Sequence, residues 1–129
     1  MTNGIPPRLV LIVEDSEGCA VTLQIAIESI AGLEPRLVNS SVGALALLEH
    51  ESARVAAIIT DVQLPGMSGL DLLARLQSEV RFADIPVMMV SGNSDPALPS
   101  QAIALGASAF FTKPYSPSEV RRKLEQLLS

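Results

Sequence analysis

The chain has 129 residues, 48% apolar and 18% charged, with 9 basic and 14 acidic side chains and a net charge of -5. That size and apolar content suit one domain, expected over residues 1–129 with its core at about 8–128, and exclude a disordered chain. The lack of any basic run or aromatic platform argues against direct nucleic-acid binding, no apolar run reaches membrane-span length, and a lone cysteine, Cys19, excludes an internal disulfide. The opening MTNGIPPR lacks the apolar region of a signal peptide, so a reducing, cytoplasmic setting is the expectation.

In chain order, the first apolar run is Leu9–Val13, continuous rather than alternating, as in a strand covered on both faces. Ser16 is placed to cap a helix running to about Ala31, with Gly32 as its stop. Within it Leu23, Ile27 and Ile30 form a core stripe. Gly18, Val21, Thr22 and Ile25 recur at helical spacing on another face, either more core or an exposed apolar surface. A weaker strand at about Arg36–Val38 reads as an edge. Ser41 is placed to cap a helix at Val42–Glu51, which carries the only histidine, His50, read as a solvated side chain.

The third run, Val55–Thr60, ends on Asp61 and enters a Pro65-Gly66 turn. Ser68 precedes a helix running to about Val80. A fourth strand comes at Val87–Val90. Pro96 and Pro99 confine the next helix, between Asp95 and Gly106, to about two turns. The fifth run is Ala107–Thr112. Ser116-Pro117-Ser118-Glu119 then reads as a capping box with proline at the first position of the last helix. Five strands alternating with five helices predict an α/β domain with a doubly wound, five-stranded parallel sheet.

In such a sheet the carboxyl ends of the strands share one edge, where ligands bind. Glu14 and Asp15 come directly after the first run, Asp61 after the third, Ser91 after the fourth, and Lys113 after the fifth. A like-charge carboxylate pair at ~4 Å costs on the order of 4 kcal/mol at an effective dielectric of ~20. Lys113 offsets part of that. An all-oxygen donor set and the remaining negative charge point to Mg²⁺ (or Mn²⁺), and no His/Cys cluster offers a zinc or copper site.

Four motifs, Val13-Glu14-Asp15, the stretch Asp61 to Gly69, Val90-Ser91-Gly92 and Phe111-Thr112-Lys113-Pro114, together resemble the receiver domain of two-component response regulators, including single-domain chemotaxis-type regulators. The resemblance runs from Leu9 to Leu128. It implies a flavodoxin-like fold of strand order 2-1-3-4-5. Asp61 becomes the phosphoacceptor for a partner's phosphohistidine. Asp15, Asp61 and the main-chain carbonyl of Gln63 become metal ligands, with Glu14 acting through a water. Lys113 and Ser91 would hold phosphoryl oxygens, Ser91 and Phe110 would form the switch, and the Lys113-Pro114 bond is often cis. The implied partners are a sensor histidine kinase or histidine phosphotransfer protein, docked on Gly18, Val21, Thr22 and Ile25. A downstream target, or a second copy, would use the surface of the fourth helix, fifth strand and fifth helix. Such a protein is a signalling switch that assists only its own phosphorylation and dephosphorylation.

Glu14 stands where aspartate is more usual, Ser91 where threonine is familiar, and Phe110 where tyrosine is frequent. Three other readings compete. The chain could be a receiver taken from a hybrid histidine kinase or longer regulator. It could be a pseudo-receiver that only binds, against which the intact acidic set argues. It could be an aspartyl-phosphate phosphatase, but the haloacid-dehalogenase type wants a second aspartate where this chain has Gln63.

Overall fold

The computed structural model describes residues 6–129. Five strands, β1 (Arg8–Val13), β2 (Leu33–Val38), β3 (Val55–Asp61), β4 (Val87–Ser91) and β5 (Ala109–Thr112), alternate with five helices. These are α1 (Glu17–Glu28), α2 (Ser41–Glu51), α3 (Gly69–Gln77), α4 (Ala97–Ala104) and α5 (Pro117–Leu128), and a short 3-10 turn, Ser52–Arg54, leads into β3. All strand pairs are parallel, in the order β2-β1-β3-β4-β5. The architecture is the doubly wound one expected.

Strand side chains alternate between two cores. Leu9, Leu11 and Val13 of β1 face one side, where they meet Ala44 and Leu48 of α2, Leu72, Leu73 and Leu76 of α3, and Leu98 and Ala102 of α4. Val10 and Ile12 face the other, against Leu23 and Ile27 of α1 and Val120 and Leu124 of α5. Each fully buried leucine or isoleucine is worth roughly 1.5–3 kcal/mol, so both faces anchor their helices and the sheet between them is rigid.

Several boundaries differ from the sequence reading. Helix α1 stops at Glu28, three residues before Ala31, because the chain must turn back to lay β2 beside β1. Gly32, at φ 83°, makes the turn, and its carbonyl accepts the Arg8 N–H at 2.9 Å. Strand β2 is six residues long, not three. Glu34 and Pro35 hid its first half, and its edge position tolerates the proline that pairs with Val10. Helix α3 ends at Gln77, and the chain turns so that Phe82 drops into the core while Val80 stays exposed. Strand β5 starts at Ala109 rather than Ala107 and is only half-buried, as the opposite edge of the sheet.

The caps are also corrected. Ser40, not Ser41, caps α2, its hydroxyl accepting the Gly43 N–H at 3.0 Å. The Ser41 hydroxyl is buried and donates instead to the Met67 carbonyl at 2.9 Å, tying α2 to the loop after β3. Ser68 caps α3 as expected, through the Asp71 N–H. Ser16 makes no side-chain cap, and the Ser116 hydroxyl pairs with that of Ser118, so neither end closes by a side-chain cap. Proline does occupy the first turn of α5.

A candidate phosphoacceptor site at the carboxyl edge of the sheet

Register builds the site. Val13 pairs with Thr60, Asp61 with Val90, and Ser91 with Thr112. The residues just beyond Val13, Thr60, Val90 and Thr112 therefore emerge side by side. Backbone bonds carry the alignment past the strand ends: the Val62 N–H donates to Val90 O at 2.9 Å and the Lys113 N–H to Ser91 O at 2.7 Å. Glu14, Asp15 and Asp61 each bring one carboxylate oxygen within 4.8 Å of the others. Glu14 and Asp61 are buried, 3% and 4% exposed, while Asp15 lies open to solvent.

Lys113 reaches into this group. Its Nζ donates to Glu14 Oε1 at 2.8 Å and to Asp61 Oδ2 at 2.6 Å. Burial works against the Lys113 charge, but the bonds to Asp61 and Glu14 outweigh it and hold its pKa above the ordinary lysine value. Burial pushes Glu14 up, against the downward pull of Lys113, and the nearby Asp61 carboxylate adds to the rise. The Lys113-Pro114 bond is cis.

The turn after Asp61 holds that carboxylate still. The Gln63 N–H donates to Asp61 Oδ1 at 2.9 Å, so both Asp61 oxygens are engaged. Gly66 sits at φ 76°, and the Gly69 N–H donates to Val62 O at 2.9 Å. A Cβ at Gly69 would run into the Asp61 carbonyl, so only glycine lets the start of α3 approach the end of β3 this closely.

Ser91 is fully buried beside this group. Its hydroxyl donates to Gln63 Oε1 at 2.8 Å and accepts the Asn93 N–H at 3.0 Å. Phe110 is half-buried and packs against the core on the α2–α4 side. The four residues singled out on α1, Gly18, Val21, Thr22 and Ile25, are all exposed, with Val21 at 49% and Ile25 at 65%, while Leu23 and Ile27 take the core. The alternative that Val21 and Ile25 are further core is thereby excluded.

The sequence did not disclose two features. One is the Gln63–Ser91 bond, which depends on side-chain reach across two strands. The other is a depression of about 420 Å³ beside Lys113, lined by Gly18, Cys19, Thr22, Pro114, Tyr115 and Pro117. It exists because α5 starts against the first turns of α1, and no local pattern signals that.

Comparison with known proteins decides the family. Residues 10–125 match the model of the response regulator receiver domain. The chain belongs to that family. Sensory transduction protein RegX3 of Mycolicibacterium smegmatis is 34% identical over 119 residues, which is 92% of this chain and 50% of RegX3. This receiver thus spans about half the length of the first relatives it matches. Among solved structures, chemotaxis response regulator CheY4 of Vibrio cholerae superposes with a TM-score of 0.82 at 25% identity, covering 95% of this chain and 99% of CheY4. The signal receiver domain of a signal transduction histidine kinase from Syntrophus aciditrophicus gives 0.83 at 30% identity, covering 94% of this chain and 89% of the other. Receivers are signalling switches rather than turnover enzymes, and the acidic trio here has the donors to hold a divalent cation. No helix among the described residues is long and apolar enough to cross a membrane.

Proposed function

We propose that this receiver works in the cytoplasm and accepts a phosphoryl group on Asp61 from the phosphohistidine of a sensor kinase or phosphotransfer protein, in a Mg²⁺-dependent reaction. The supporting observation is the convergence of Glu14, Asp15 and Asp61 on one strand edge with Lys113 bonded to two of them. Three carboxylates against one ammonium leave a negative excess, and an oxygen-only donor set suits Mg²⁺ or Mn²⁺. Asp15, Asp61 and the Gln63 main-chain carbonyl would hold the ion, with Glu14 acting through a water. Bound there, it supplies the positive charge that makes the crowding of carboxylates and phosphoryl oxygens tolerable.

An Asp61 oxygen attacks the phosphorus. The P–N bond of the phosphohistidine breaks, and its electron pair returns to the imidazole nitrogen. Asp61 is a modest nucleophile, so what the protein adds is position and charge neutralisation. The rigid β3 and the Gln63 N–H fix the carboxylate, Lys113 pairs with one phosphoryl oxygen, and Ser91 donates to another. Drawing in Ser91 moves its loop and opens space for Phe110 to turn inward. That remodels the α4, β5 and α5 surface for a downstream target or a second copy. Coupling of this kind is typically ~1–3 kcal/mol, enough to shift a pre-existing equilibrium. The exposed apolar face of Gly18, Val21, Thr22 and Ile25 is the dock for the phosphodonor.

Intact-mass measurement tests the reading. Acetyl phosphate with Mg²⁺ adds one phosphoryl group, and EDTA or Asp61→Asn abolishes the addition. A phosphoryl adduct that persists in Asp61→Asn sinks the assignment.

A further inference from the structure

We infer that Gln63 is a positioning residue that withholds the Ser91 hydroxyl from the phosphoryl group, so that its side-chain carbonyl sets the threshold of the switch; this rests on Asp61 being the phosphoacceptor. A serine hydroxyl has one proton to give. Here that proton goes to Gln63 Oε1 at 2.8 Å, and the oxygen already accepts the Asn93 N–H at 3.0 Å. Ser91 is fully buried, so no water competes for the proton. Its backbone is pinned as well, because the Ser91 carbonyl accepts the Lys113 N–H at 2.7 Å. The hydroxyl therefore cannot donate to a phosphoryl oxygen until Gln63 lets go.

Gln63 is well placed to do so. It is exposed, and its amide can swing into water and find new partners there. The same residue also touches Asp61, through its N–H to Oδ1 at 2.9 Å. Gln63 thus spans the two residues that a phosphoryl group must bridge: its backbone holds the acceptor and its side chain occupies the donor. Phosphorylation exchanges a neutral hydroxyl–amide bond for a charge-assisted one to a phosphoryl oxygen. A typical neutral hydrogen bond shifts an equilibrium by about 2- to 12-fold, and the latch weakens phosphoryl capture by about that factor.

Gln63→Met keeps the length of the side chain and removes the carbonyl. Two measurements test the latch. In the metal-free protein, the wild-type Ser91 hydroxyl proton gives an NMR resonance protected from exchange with water, and Gln63→Met exchanges it several-fold faster. With Mg²⁺ present, calorimetric titration with beryllofluoride, a tetrahedral phosphoryl mimic that bonds a carboxylate, shows Gln63→Met binding about 2- to 12-fold tighter than wild type. That gain disappears in a Ser91→Ala background, since no hydroxyl remains to be released. Unprotected exchange in the wild type, equal or weaker beryllofluoride binding by Gln63→Met, or the same gain without Ser91 would each overturn the latch. Failure of wild type to bind beryllofluoride while its hydroxyl is protected would overturn the phosphoacceptor reading instead.

Discussion

Two clusters in this molecule share a formula and differ in kind. In one, Arg81 pairs with Glu49 at 2.9 Å and Glu79 at 2.8 Å; in the other, Lys113 pairs with Glu14 at 2.8 Å and Asp61 at 2.6 Å. Each sets a cation between two carboxylates, and in the first a second cation, Arg75, also pairs with Glu79 at 3.4 Å. The side chains of Arg81 and Glu49 are 55% and 52% exposed, whereas those of Glu14 and Asp61 are 2% and 6% exposed. Water screens the first, so its short distances say little about stability. The second has lost most of its hydration, and a further carboxylate, Asp15, stands beside it. Bond length does not separate a decorative ion pair from a poised one; burial and surplus charge do.

The contrast breaks most sharply at its two cations. In EDTA, Lys113→Met strands two buried carboxylates. It destabilises the fold by about 3 kcal/mol, the lower end for a broken buried pair because Lys113 itself keeps some contact with water. Urea denaturation measures this, and a loss below about 1 kcal/mol would show that the cup is solvated like the surface cluster.

The clusters also differ in the sign of their pH response. Arg81 holds Glu49 and Glu79 below the ordinary 4.5, so their contribution is present above that value and is lost as pH falls through their lowered values. Burial raises Glu14 above 4.5, so the native state keeps its proton longer than the unfolded chain does. That contribution is complete below 4.5 and is lost as pH rises through the elevated value. Without metal, Glu14→Gln therefore flattens the fall in Tm just above pH 4.5, while Glu49→Gln changes only the acid side. Identical profiles for the two variants would erase the distinction. The smallest effect at neutral pH is at Arg81→Ala, which lowers Tm only slightly, since salt and water already screen its pairs and only the contact with the Phe82 ring is lost besides.

Legibility along the chain divides the same way, between local and distant. Continuous runs such as Leu9–Val13 and Val55–Thr60 announce buried parallel strands, and the residues just after them name the site. Asp61, Glu14, Asp15 and Lys113 needed only the rule that parallel strands end on a common edge. Boundaries were harder where tertiary contacts compete with local preference. Ile30 and Ala31 carry apolar side chains that would extend a helix, yet pairing of Leu33 with Arg8 turns the chain there. Ser40 and Ser41 offer the same hydroxyl, and only the position of Met67 assigns Ser41 to the loop and leaves Ser40 as the cap. On α1, the spacing assigned Leu23 and Ile27 to the core but could not say whether the second apolar face, with Val21 and Ile25, faces water or is further core, because that depends on where α5 packs.

By itself, the order of residues determined the alternation of strands and helices, the parallel sheet, and the set of charged groups at its carboxyl edge. Those features are set by periodicity and by the residues at the end of each apolar run, which are local properties. Only the folded molecule decided that Glu14 and Asp61 are buried while Asp15 is open, that Lys113 bonds to both buried acids, and that Gln63 occupies the Ser91 hydroxyl. Those facts depend on register, rotamer and exclusion of water among segments up to 99 residues apart in the chain, and no short stretch of sequence contains them.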